Sequence, residues 1–307
     1  MRNRLNFITA IVVVAATFVF VASSYGQETG ESILIKEYLE NCGRVEEYIC
    51  GMDVEQTVEN ARDIALSSYS QQWLTHAFSH RLKVHRQDTI TTITSAFADR
   101  LPFPSVLIVQ NDKVHFEVGG KITDYSKLIL EDAKNFNPTF YGDPFSVFLA
   151  GYFERRNLTE LHNNSLKNAL ERYEVLDSKE DLVSKQQTYS IFNDDPIFSE
   201  IVFDMRLGGM PKTIVSSTPQ SRKTQLPWHE VDFNWISHDE KWFPDRVHIV
   251  ERVGKLTRTW DINFYWVLAD VPDIIFDFDR RGKMHPKELK EMILARHIKK
   301  NGLSTQR

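Results

Sequence analysis

Hydrophobic and polar residues alternate most regularly between Trp228 and Leu268. In WHEVDFNWI, Val231, Phe233 and Trp235 fall on one side, and Asp232 and Asn234 on the other. After SHDEK the run WFPDRVHIVERV returns. Gly254-Lys255 then turns the chain into LTRTWDINFYWVL, where Trp260, Ile262, Phe264, Trp266 and Leu268 alternate with Asp261, Asn263, Tyr265 and Val267. A period of two puts each set on its own face of a pleated strand, and short polar connections holding Gly or Asp fit hairpins. Three successive antiparallel strands are predicted, with one large aromatic face that the rest of the chain must cover or fill.

The remaining pattern is less uniform. SILIKEYLENC predicts a short helix ended by Gly43, with Ile33, Ile35, Tyr38, Leu39 and Cys42 on one face. Tyr48, Cys50, Met52 and Val54 alternate and predict a first strand. Over 56–100 the pattern is ambiguous: NARDIALSSYSQQWL fits helix or strand, and TITTITSAF leans to strand. SVLIVQNDKVHFEV predicts a hairpin around Gln110-Asn111-Asp112. From 124 to 176 the spacing turns helical, with Asp143 as an N-cap, Pro144 at the first helical position and a second helix through Leu161, Leu166, Leu170 and Tyr173. This pair is expected to be an insertion covering one side of the sheet. LVSKQQTYSIF, FSEIVFDMRL and MPKTIVSST then lead into the aromatic strands, giving a six-stranded meander of adjacent neighbours. HPKELKEMILARHIKK predicts a basic, peripheral helix over 286–299, within a terminal segment 286–307.

The first residues change the picture. Arg2 and Arg4 precede an uncharged apolar run from Phe7 to Ala22, and Ser24-Tyr25-Gly26 offers small residues at a cleavage point before Gln27. Residues 1–26 therefore read as a secretory signal peptide, so the protein is expected to be exported, periplasmic or secreted. Residues 27–285 form the expected domain, which does not span a membrane. The chain of 307 residues carries a formal charge of −5, and loss of Arg2 and Arg4 takes it to −5 − 2 = −7. That acidic balance gives no footprint for nucleic acid. Two cysteines, Cys42 and Cys50, enclose a short loop. Export permits a bridge contributing about 2–3 kcal/mol, and two buried thiols are the alternative.

Candidate chemistry is sparse. No GxGxxG, P-loop, GxSxG or HExxH motif occurs, and no catalytic residue or cofactor is assigned. His76 and His80 stand four apart with His85 beyond, but Ala77 occupies the place of a general-base glutamate, and ten histidines make such a spacing common. His238, Asp239 and Glu240 read as a solvated turn, as do Asp194-Asp195-Pro196. FDFDRRGKMHPKEL aligns with an EF-hand loop from Asp277: Asp279, Gly282, Met284 and Glu288 suit their positions, while Arg281 puts a cation where a ligand belongs. Asp277, Asp279 and Glu288 are thus the alternative metal ligands, against a simple Gly turn before a helix. The tryptophans at 228, 235, 242, 260 and 266 form core where helices cover them and a cavity where they do not.

The stretch WHEVDFNWISHDEKWFPDRVHIVERVGKLTRTWDINFYWVLADVPDIIFDF resembles the closing strands of exported bacterial proteins related to the periplasmic lipoprotein carrier LolA. The matching features are the strand ending near Trp235, Trp242-Phe243-Pro244 opening the return strand, the strand from Trp260, then Pro272-Asp273 and Phe276. FDMRLGGMPKTIV resembles the strand pair of such proteins through Asp204, Gly208, Gly209 and Pro211. The likeness covers roughly 183–282 closely, and the N-terminal half by strand order alone. It implies an α+β fold: a curved, mostly antiparallel sheet, an unclosed barrel, with helices covering its concave face. It also implies a non-catalytic carrier or sensor of acyl chains, lipid or lipoprotein. The expected pocket is lined by Phe233, Trp235, Trp260, Ile262, Phe264 and Trp266 and opens near one sheet edge. A calcium-binding exported module and an exported hydrolase with an unrecognised site are the competing readings.

Overall fold

The computed structural model describes residues 31–43, 45–60, 68–94, 105–110, 113–118, 121–122, 145, 175–192, 198–217, 227–277 and 284–298. The proposed signal peptide and the Asp194-Asp195-Pro196 turn lie outside them, as does the helical stretch expected over 124–176 except at Phe145 and at its end, where Val175 and Leu176 belong to a strand.

Helix α1 spans Glu31–Gly43. Six strands follow: β1 Glu47–Asn60, β2 Ser68–Ser79, β3 Val84–Thr94, β4 Ser105–Gln110, β5 Lys113–Val118 and β6 Lys121–Ile122. Seven more form the second half: β7 Val175–Asp181, β8 Gln186–Phe192, β9 Phe198–Asp204, β10 Met210–Ser217, β11 His229–His238, β12 Lys241–Val253 and β13 Leu256–Val267. A 3-10 turn, Asp273–Phe276, and helix α2, Pro286–Arg296, close the described chain. All thirteen strands join one antiparallel sheet, in the order β6-β5-β4-β3-β2-β1-β13-β12-β11-β10-β9-β8-β7. Two meanders are thus fused through the pairing of β1 with β13, the longest-range contact in the sheet. The sheet does not close, and is a curved unclosed barrel as expected.

The aromatic strands fall where the alternation places them. The β11–β12 turn has Asp239 and Glu240 in left-handed backbone (φ 49° and 62°), the geometry of a two-residue hairpin turn. The meander gains a strand over expectation. LVSKQQTYSIF is not one strand: 182–185 is a turn, and VLDSKED before it forms the edge strand β7.

Prolines inside two strands are accommodated by bulges. Lys212 is the extra residue of β10 opposite Phe203 and Val202, and Asp245 that of β12 opposite Asn234 and Trp235. Each bulge is paired to a tryptophan on the next strand. Trp235 Nε1 donates to Pro211 O, and Trp266 Nε1 donates to Pro244 O, both at 2.7 Å. Two buried indole N–H groups and two carbonyls beside disrupted ladders are satisfied together.

The Gly-Gly turn between β9 and β10 is a joint. Asp204 caps it, accepting from Arg206 N at 3.0 Å and from the Arg206 guanidinium at 2.9 and 2.6 Å. Gly208 takes φ 59°, and a Cβ there would lie 2.4 Å from Trp242 Nε1. At Gly209 it would lie 2.9 Å from Leu34 Cδ2 of α1. Asn41, buried at the far end of α1, donates to Trp242 O at 2.8 Å and accepts from Trp242 N at 2.9 Å. These contacts dock α1 on the aromatic face, where Leu34 and Tyr38 are buried.

The terminal helix departs from expectation. It is not peripheral, and it does not lie over the aromatic face. Leu289 and Ile293 of α2 join Ile49, Trp73, Ala77 and Val267 in a second core on the opposite side of the sheet. Lys290 Nζ sits 4.5 Å from the Trp73 ring centre. A buried ion pair ties this segment down. Arg86 bonds Asp88 through two nitrogens, at 2.9 and 2.7 Å, and donates to Ile275 O and Met284 O at 2.7 and 2.9 Å. Arg86 thereby ties the 3-10 turn to the start of the α2 segment. Burial pushes the Asp88 carboxyl up, against the pull of the Arg86 guanidinium.

Candidate functional site

The β-ladder places all six residues expected to line the pocket on one face. Trp266, Phe264, Ile262 and Trp260 stand opposite Cys50, Met52, Val54 and Gln56 of β1. Ile262 and Trp260 also stand opposite Val247 and Ile249 of β12, which in turn face Phe233 and Val231 of β11. Phe233 stacks on Trp235 with ring centres 5.8 Å apart, and Phe264 on Trp266 at 6.4 Å.

The six divide by burial. Phe233, Trp235, Trp260 and Trp266 are buried, Trp266 to 1% exposure. Trp266 is held by Tyr48 at 5.4 Å, Phe243 at 5.0 Å and Phe145 at 5.2 Å. These four form a floor whose indole donors at 235 and 266 are already engaged. Ile262 and Phe264 are only half-buried, although they pack on the same core. Across β1, Leu74 and Phe78 of β2 share their face through Met52 and Tyr48, and are half-buried too. The structure therefore presents an apolar strip whose partly exposed side chains, Ile262 and Phe264 on β13 and Leu74 and Phe78 on β2, flank the buried Tyr48, Cys50, Met52 and Val54 of β1. Leu74 and Phe78 were missed from sequence because β2 shows no contrast between its faces.

Gln56, Gln72 and Arg258 are half-buried polar groups on this face, and several others are enclosed. His76, between Leu74 and Phe78, is buried and places Nδ1 2.9 Å from Tyr48 OH. His80 sits exposed in the following turn, so the spaced histidines do not converge. At the far end of the face, Ser199, Ser216, His229 and Glu251 are successive partners across β9, β10, β11 and β12. The two serine hydroxyls lie 2.7 Å apart. This row is buried and gives solvent no entry.

The remaining candidates have local roles. Glu288 accepts from His285 N at 3.2 Å in a capping box that starts α2. Asp277 ends the 3-10 turn, and Asp279 lies outside the described residues. Among the described residues no cluster of three or more His, Cys, Asp or Glu side chains is arranged to hold a metal. His238 and Asp239 form an exposed pair at 3.4 Å in the hairpin turn. Cys42 and Cys50 are free thiols, not a bridge. On the opposite face Asp261 accepts from Arg246 at 2.6 Å and lies 3.0 Å from His248 Nδ1. These hydrogen bonds outweigh its partial burial and hold its carboxyl below the ordinary range.

No family model and no curated protein matches the chain. Solved structures do. An outer-membrane lipoprotein-sorting protein domain (so assigned) from Vibrio parahaemolyticus matches at TM-score 0.44 and 11% identity, over 80% of this chain and 94% of that one. A LolA superfamily protein from Nitrosomonas europaea matches at 0.39 and 9%, over 80% and 96%. A DUF1329 family protein from Desulfovibrio piger matches at 0.38 and 7%, over 79% and 97%. All three scores lie below 0.5, and the functional reading that follows rests on this chain's own geometry. Among the described residues no helix is long and apolar enough to cross a membrane.

Proposed function

We propose that this is an exported, non-catalytic binding protein that holds an acyl chain, of a lipid or a lipoprotein, against its concave face. The observation that carries the reading is the partial exposure of Ile262, Phe264, Leu74 and Phe78 beside a packed aromatic floor on the same face. Ile262 and Phe264 touch the ligand, while Phe233, Trp235, Trp260 and Trp266 shape the surface beneath. Each acyl methylene removed from water contributes about 0.8 kcal/mol, so an acyl chain covered along the strip gains the ~8 kcal/mol of micromolar binding chiefly from its own burial. The apolar leader before Gln27 supports export.

The test is native mass spectrometry of the protein purified from the envelope or medium of a producing cell. Co-purifying lipid supports the proposal. Protein recovered free of lipid that also fails to take up a fatty acid refutes it. An N-terminus at Gln27 is expected in the same preparation, and one at Met1 would refute cleavage.

A further inference from the structure

Two adjacent aliphatic side chains stand out at the edge of the sheet farthest from the apolar strip. Leu182 is 76% exposed and Val183 95%, at the apex of the β7–β8 hairpin. The apex is a built turn. Asp181 Oδ1 accepts from Val183 N at 2.9 Å and from Ser184 N at 3.3 Å. Lys185 takes φ 52°, and its carbonyl accepts from Met205 N at 3.0 Å, joining the apex to the neighbouring turn. Met205, 37% exposed, adds a third apolar side chain beside it. Turn chemistry ordinarily fills such positions with Gly, Asn, Asp or Ser. Here an aspartate fixes the backbone, and Leu182 and Val183 are presented outward.

Charge around the apex nearly balances. Lys179 lies 3.8 Å from Asp177, and Arg206 bonds Asp204 at 2.6 Å. Lys185 offsets Glu180, and Asp181 leaves one net negative charge. Two or three side chains also fall far short of the roughly 1,000 Å² that a specific protein interface or a stable dimer buries. A bilayer interface needs no complementary groove, and zwitterionic headgroups accept a small apolar apex with one net negative charge. We propose that the β7–β8 apex, Leu182 and Val183 with Met205 beside them, inserts into the headgroup–acyl boundary of a phospholipid bilayer. This contact is independent of the concave strip, and each can fail without the other.

The test uses protein recovered after export and vesicles of phosphatidylcholine, with and without phosphatidylglycerol. Leu182→Ser with Val183→Ser should weaken co-flotation at least about ten-fold while leaving the circular dichroism spectrum unchanged, since both positions are exposed. Because the apex carries one net negative charge, phosphatidylglycerol should not strengthen binding, and salt should change binding to phosphatidylcholine little. A Leu182→Trp variant reads the apex directly: brominated lipid should quench it beyond the quenching of the wild-type chain. No excess quenching in Leu182→Trp, or equal flotation of the double serine variant and the wild type, overturns the proposal.

Discussion

Replacing Trp266 by Phe isolates one interaction in the aromatic floor. The substitution keeps a ring among Tyr48, Phe243 and Phe145 but removes the indole N–H. Pro244 is buried, and its carbonyl is the acceptor of that N–H at the bulge of β12. An orphaned buried acceptor costs about 1–3 kcal/mol. The smaller ring leaves a gap that adds about 1 kcal/mol, the scale of a modest large-to-small core change. The sum is about 2–4 kcal/mol. With a urea slope near ~3 kcal/mol/M, the upper end for small domains, the unfolding midpoint should fall by about 0.7–1.3 M. Far-UV circular dichroism is the appropriate signal, because tryptophan emission is itself altered. Phe264→Ala, on the half-buried strip, should cost less than Trp266→Ala, for which about 3–5 kcal/mol is expected. A midpoint shift for Trp266→Phe below about 0.3 M, or a Phe264→Ala cost equal to that of Trp266→Ala, would refute the division into floor and strip.

Arg86→Met should cost about 3–5 kcal/mol by stranding Asp88, and should loosen α2 so that its amides exchange before those of the sheet; wild-type protection in α2 would contradict the clamp. Gly208→Ala and Gly254→Ala both incur the left-handed backbone penalty of about 1 kcal/mol, but only Gly208 also meets Trp242, so its melting temperature should fall further. Equal shifts would refute the Trp242 contact. Arg206 hydrogen bonds hold the Asp204 carboxyl at about 2, against an ordinary value near ~3.9. Because the folded value is depressed, this stabilisation is full above about pH 4 and is lost as pH falls from there through about 2. It is worth at most about 2–3 kcal/mol, and less because Arg206 is 56% exposed. Asp204→Asn should flatten that limb of the pH–stability curve, and an unchanged limb would show that the pair contributes nothing.

The aromatic hairpins were legible because β11 is covered on one face and solvated on the other, so Val231, Phe233 and Trp235 contrast with Asp232 and Asn234. β2 was not legible for the converse reason. Leu74 and Phe78 face the concave core while Trp73 and Ala77 face the second core, and a strand covered on both sides shows no period of two. The same cause hid the role of Val267, which groups with polar residues by alternation yet is buried under α2. β7 escaped notice because an edge strand written VLDSKED has no apolar face to signal it. Helix α2 looked peripheral from its lysines, but Leu289 and Ile293, four apart, are enough to seat it. Arg86 and Asp88 carry no sequence signal for burial, since only the tertiary fold brings Ile275 and Met284 over them. Sequence alternation placed the six proposed lining side chains on one face, as the ladder has them. It did not divide them, because burial depends on α1 and Phe145, which reach the face from elsewhere in the chain.

Titration of the exported protein with an environment-sensitive fluorescent fatty acid tests the central claim most directly. The concave strip predicts saturable binding at micromolar concentration or tighter, weakened at least about ten-fold by Phe264→Ser in a variant whose far-UV spectrum and unfolding remain cooperative. Wild-type protein that is folded and binds no fatty acid would contradict the account, and so would a Phe264→Ser variant that binds as tightly as the wild type.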